Sequence, residues 1–151
     1  MQAETFDCLL EWTSELHAMI ADRLEQALTA ETDQRSRWFM EYVAGHERDI
    51  AKTVARYRAQ ASESAGNTWL YEHIAEHLPP QSRWELSFIG KSFDEMSQEV
   101  FRLHEQLIEV YETLVGRAVI PEAQELMTNM LSLEKGETRR LAEQSGRLQD
   151  L

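Results

Sequence analysis

Two histidines and two glutamates, His17, His104, Glu47 and Glu134, stand where helical spacing calls for apolar residues. His17 lies three residues from Ile20 and four from Thr13, and His104 lies four from Val100 and three from Leu107. Glu47 is four from Val43 and three from Ile50, while Glu134 is three or four from Leu131 and Met130. Residues at these intervals share one helix face, so all four are expected to point into the interior. A carboxylate buried alone costs on the order of several kcal/mol, so each needs a partner, and imidazole is the one at hand. Two chemistries meet that need. His17 can pair with Glu47 and His104 with Glu134 as interhelical hydrogen bonds. Alternatively, the imidazoles and carboxylates close around one ion, a nitrogen and oxygen set suited to zinc, iron, manganese or nickel. A third reading is that the helical phase is off by a third of a turn and some of these groups meet solvent.

The four residues are related by an internal duplication. An ungapped shift of 87 residues brings Phe6-Asp7 onto Phe93-Asp94, Leu16-His17 onto Leu103-His104, Met40 onto Met127, Glu47 onto Glu134 and Ala55 onto Ala142. Similar pairs such as Ile20 with Leu107 and Val54 with Leu141 fall between them. Repetition of this kind indicates one structural unit used twice.

Periodicity is helical over most of the chain, and the stop signals divide it into units. A first helix is expected from about 5 to 29 and a second from about 34 to 61, joined by a short polar turn; they form a hairpin over 5–61. Ser62 to Gly66 breaks the pattern with small residues. The stretch 62–91 reads as a crossover with short helices. Thr68 caps TWLYEHIAEHL, which Pro79-Pro80 must stop, and Ser82-Arg-Trp-Glu85 is a capping box. Ser92-Phe-Asp-Glu95 is a second capping box, opening a long helix to about 117, and Pro121 suits the first position of the last. The second hairpin covers 92–146, and 1–151 is read as a single domain. A connection of about 30 residues can run the length of such helices, making the second and third parallel.

With paired helix hairpins and a central crossover, the chain resembles the ferritin-like and rubrerythrin-like superfamily over essentially its whole length. The resemblance implies an all-α, ferritin-like four-helix bundle. In that family the second and fourth helices each carry Glu-x-x-His, and the first and third supply further carboxylates around two iron or manganese ions. Here Glu47-Arg-Asp-Ile50 has isoleucine at the histidine position, and Glu134-Lys-Gly-Glu137 has glutamate there. Glu47 and Glu134 match the motif glutamates, Glu137 replaces a histidine, and Ser14 and Phe101 are no substitutes for the other carboxylates. These departures argue against an ordinary di-metal centre. They leave His17, Glu47, His104, Glu134 and Glu137 as the set for an altered or remnant site. Oxygen or peroxide chemistry at such a site is a family-level expectation only.

Composition excludes several classes. The 15 basic and 27 acidic residues give a net charge of −12, which repels nucleic acid phosphates and anionic lipid. No apolar run reaches membrane-spanning length, and the start, MQAETFDCLLEW, has no basic leader. Cys8 is the sole cysteine and has no basic neighbour, consistent with a reducing, cytoplasmic setting. No nucleophile elbow, phosphate loop or dinucleotide fingerprint is present.

Other features favour modest roles. His46 is expected at the core margin as a hydrogen-bonded residue, and His73-Ile-Ala-Glu76-His77 spells an inverted zinc-protease motif on a helix too short to use it. Trp69, Tyr71, Trp84 and Phe88 either pin the crossover to the bundle or anchor a partner such as a second copy. Met19, Met40, Met96, Met127 and Met130 read as core filler. The expected protein is thus a helical bundle with a His/Glu metal site, or a non-catalytic interaction bundle, such as a homodimer, whose His–Glu pairs replace a lost metal. Substrate and reaction are not specified by the sequence.

Overall fold

The computed structural model describes residues 4–70 and 86–150, and every described element is helical apart from one isolated β-bridge between Thr5 and Trp69. The long helices are α1 (Phe6–Leu28), α2 (Gln34–Gln60), α4 (Phe93–Arg117) and α5 (Pro121–Gln149), with a single turn, α3 (Glu63–Gly66), after α2. Local chemistry sets their starts. Thr5 accepts from the Cys8 amide at 3.2 Å, and Asp33 accepts from the Ser36 amide at 3.0 Å. Ser92 and Glu95 form a reciprocal capping box, and Pro121 takes the first position of α5, where no intrahelical donor is needed.

Side-chain pairs fix the topology. Asp7 meets Arg58 at 2.9 Å, and Arg48 reaches Asp22 and Glu25 at the other end, so α1 and α2 are antiparallel. Lys135 meets Glu112 at 3.0 Å and Gln149 meets Asp94 at 3.5 Å, so α4 and α5 are antiparallel as well. Phe39 stacks edge-on against Phe93, while Glu47 touches His104 further along; α2 and α4 therefore run in the same direction. The connection between them must cross from end to end, a distance of about 34 Å for the 23 residues of α1. Its two described flanks show this. Leu70 donates to the Glu4 carbonyl at the start of α1, whereas Ile89 to Phe93 border a hollow with Ala27, Ala30 and Asp33 at the opposite end.

Apolar side chains from all four long helices meet in one core, among them Leu9, Ile20, Phe39, Val54, Met96, Leu107, Leu114 and Met130. Met40 and Met127, which the shift of 87 residues aligns, are both buried, while Met19 is half-buried. Two sequence expectations need correction near the crossover. Ser62 to Gly66, read as a break, instead holds α3, because the Ser62 hydroxyl accepts from the Ala65 amide and starts a turn. Thr68 to Leu70 is extended rather than helical: the Thr68 hydroxyl closes α3 on the Ser64 carbonyl, and its own carbonyl accepts from Phe6. The rest of the expected short helix, the Ser82 capping box, the His73–His77 motif, Tyr71 and Trp84 lie outside the described residues. Of the other crossover aromatics, Phe88 is fully buried but Trp69 is 73% exposed, so only the first pins the segment.

Candidate metal centre

Each long helix contributes one polar residue to a buried layer midway along the core. His17 comes from α1, Glu47 from α2, His104 from α4 and Glu134 from α5, and each is at most 1% exposed. The His17 ring bridges the two hairpins, with Nδ1 2.5 Å from Glu47 Oε2 and Nε2 2.7 Å from Glu134 Oε1. The His104 ring stands edge-on to it, centroids 5.3 Å apart, and places Nε2 2.5 Å from Glu47 Oε1. Glu47 thus receives one imidazole on each oxygen.

The proton positions follow from the remaining contacts. The Thr138 hydroxyl donates its only proton to the Glu134 carbonyl one turn back, at 2.8 Å. Its oxygen lies 3.2 Å from His104 Nδ1, and so must accept from an N–H there. With Nε2–H directed at Glu47, His104 carries both ring protons. Charge acts in the same sense. Burial alone would depress His17, but the carboxylates of Glu134 and Glu47 and their hydrogen bonds outweigh it and raise the ring to about 10. Burial of His104 is likewise outweighed, chiefly by Glu47, and its pKa is raised. For Glu47 burial favours the neutral acid, yet the imidazoles of His104 and His17 prevail and hold it at about 2.

The expected pairing of His17 with Glu47 is present, whereas that of His104 with Glu134 is not. Thr138 takes the Nδ1 proton of His104 instead, and Glu134 turns one oxygen to His17 across the hairpins. Its other oxygen, Oε2, is buried without a hydrogen-bond partner among the described residues. Glu137, included in the sequence-derived set, stands apart from this cluster. Three residues beyond Glu134 it is rotated by about 60° toward α2, where it meets Arg140 at 2.6 Å and His46 at 3.4 Å. His46 is the half-exposed boundary residue expected, stacked on Tyr42. A crevice of about 10 Å³, room for roughly one water, runs between His46, Glu137 and Arg140 and reaches Glu47 and His104.

Sequence reasoning missed the hydroxyl partners. Thr138 and Thr13 both fall in the apolar stripes as polar residues, the same signal that singled out the histidines. Thr13 donates to the Leu9 carbonyl at 2.9 Å and accepts the buried Tyr111 hydroxyl at 2.5 Å. Burial, against that hydrogen bond, pushes the Tyr111 phenol up, so it stays neutral.

The buried His17–Glu47–His104 group can hold a metal ion: one ligand atom from each lies within 4.8 Å of the others. An ion about 2.0–2.2 Å from each ligand sets ligand atoms up to about 4.4 Å apart, so the 2.5 Å contacts of Glu47 with the two rings would open as an ion entered. Glu134 is not one of that group; it lies beside it on the other nitrogen of His17, with Oε2 unpartnered. No helix among the described residues is long and apolar enough to cross a membrane. No family model, curated protein or solved structure matches the chain.

Proposed function

We propose that the chain is a divergent ferritin-like, rubrerythrin-like four-helix bundle that binds one divalent transition ion, iron, manganese, zinc or nickel, among His17, Glu47, His104 and Glu134. The observation that carries this reading is the fully buried cluster of two imidazoles and two carboxylates with one carboxylate oxygen still unpartnered. The paired hairpins and end-to-end connection support the ferritin-like part. Binding requires neutral imidazoles, so protons leave as the ion enters. When bound, such an ion supplies a Lewis acid centre and, for iron or manganese, a redox couple. The chain's own part is to exclude water, orient the rings and shed the protons; the crevice beside His46 and Glu137 reaches Glu47 and His104.

A second reading has its own observation. The hydrogen bonds of Glu134, His17, Glu47, His104 and Thr138 form a continuous chain that binds the four helices without an ion. On that reading the bundle is a non-catalytic interaction protein, with exposed Trp69, Ile89 and Val119 available to a second copy.

Elemental analysis of protein purified without chelator separates the two. One tightly held ion per chain, lost in the double variant His17→Gln, His104→Gln with helicity retained, is the expected result. Protein that holds no ion, and whose melting is indifferent to each of the four metals, would leave the interaction reading in place.

A further inference from the structure

The internal duplication makes a demand on the core that the structure does not meet, and one residue accounts for the difference. The shift of 87 that places Glu47 on Glu134 places His17 on His104 and Ala51 on Thr138. Two contacts obey the repeat: His17 Nε2 reaches Glu134 of the other hairpin, and His104 Nε2 reaches Glu47 of the other hairpin. The third does not. His17 Nδ1 meets Glu47 in its own hairpin, but His104 Nδ1 meets Thr138 in place of Glu134. The repeat-equivalent position is Ala51, which has no hydroxyl to offer. The unpartnered Glu134 Oε2 is therefore the counterpart of the Glu47 oxygen that His17 Nδ1 occupies.

We infer that Thr138 is a positioning residue that diverts His104 from Glu134 and so keeps one carboxylate oxygen of the buried cluster open for a divalent cation. The role rests on the metal-binding reading above. It needs a hydroxyl whose own proton is committed elsewhere, and Thr138 meets this by donating to the Glu134 carbonyl. A hydroxyl free to donate would let His104 Nδ1 act as acceptor and would fix the ring less firmly. Without the hydroxyl, the geometry that His17 and Glu47 already adopt becomes available to His104 and Glu134. The cluster then closes on itself, and an ion must break one more buried hydrogen bond to enter.

The test uses the full chain stripped with chelator, zinc alone as probe, and three variants: Thr138→Ala, Thr138→Val and Thr138→Ser. Zinc affinity by titration calorimetry is expected to fall by about 10–100-fold in the alanine and valine variants, the range for lost partners of metal ligands, and to return in the serine variant. Thermal midpoints in chelator are expected to rise by about 2–4 °C in the valine variant as the open oxygen gains a partner. Valine and threonine are close in helix propensity, so a rise there does not come from propensity. If the valine variant binds zinc as tightly as the unaltered chain, the role assigned to Thr138 is wrong while the metal site stands. If the unaltered chain takes up no zinc, manganese, iron or nickel, the metal reading fails. The valine midpoint then decides whether Thr138 holds the oxygen open, a rise supporting it and an equal or lower midpoint overturning it.

Discussion

Replacing Glu47 by glutamine tests the buried network at its centre, because Glu47 is the group both imidazoles address. Glutamine keeps the shape but offers one acceptor oxygen and one NH2, so one of the two ring N–H groups must face a donor. Removing one partner of a buried ion pair costs about 3–5 kcal/mol, a large part of the roughly 5–15 kcal/mol that stabilises an ordinary domain. The pH dependence gives the sharper measurement. His17 is raised from 6.5 to about 10, so its contribution is complete below pH 6.5 and is lost as pH rises through 10. Glu47 is lowered from 4.5 to about 2, so its contribution is complete above pH 4.5 and is lost as pH falls through 2. The network is therefore strongest between pH 4.5 and 6.5. At about 1.4 kcal/mol per pH unit, the His17 interval corresponds to an upper bound of roughly 5 kcal/mol. Urea unfolding of chelator-treated protein at pH 5.5 and 9.5, for the unaltered chain and Glu47→Gln, measures it. The stability gap between the two proteins should be large at pH 5.5 and smaller at pH 9.5. A gap of equal size at both pH values would refute the assignment of charge to this network.

Three further outcomes follow from separate parts of the fold. Thr13→Val strands the buried Tyr111 hydroxyl and should cost about 1–3 kcal/mol, whereas Tyr111→Phe leaves Thr13 its Leu9 carbonyl and should cost only about 1 kcal/mol; urea unfolding gives the order. Two glycine-to-alanine changes should have opposite signs in thermal melts. Gly90 has φ 75°, so an added Cβ costs about 1–2 kcal/mol, while Gly45 lies inside α2 with open space around it and should gain about 1 kcal/mol. Ser92→Ala removes half of the α4 capping box and should cost about 1 kcal/mol, measured as earlier hydrogen exchange at the Glu95 amide.

The helices were legible because their signals are local. Caps at Asp33 and Ser92, Pro121 at a first turn and apolar stripes at three-and-four spacing each depend on residues close in sequence. The inward aim of His17, Glu47, His104 and Glu134 was legible for a related reason: a polar residue in an apolar stripe is buried with its neighbours whatever its partner. Which partner it takes is a tertiary matter. The choice of His104 between Glu134 and Thr138 depends on a ring rotation and on where one hydroxyl proton points, and neither is encoded in spacing. Glu137 misled because a motif position says only that a residue lies on the next turn; its rotation toward α2 and the nearby Arg140 guanidinium draw it to the margin. Ser62 to Gly66 misled because a serine followed by small residues can cap a turn as readily as end one.

The charge of the buried layer bears on which ion the proposed site would accept. With both imidazoles protonated, two cations face two carboxylates and the layer is neutral, which is how four ionisable groups can share an interior that penalises any unbalanced charge. One divalent ion replacing two ring protons preserves that neutrality. A monovalent ion replacing the same two protons would leave the layer one charge negative, and a trivalent ion would leave it one charge positive, each at the cost of burying an unpaired charge. Protons and divalent cations are thus interchangeable occupants, and acidity favours the former. A di-metal centre, carrying twice the positive charge, would need the additional carboxylates that Ser14 and Phe101 do not provide, so the altered motif and the charge count converge on one ion at most.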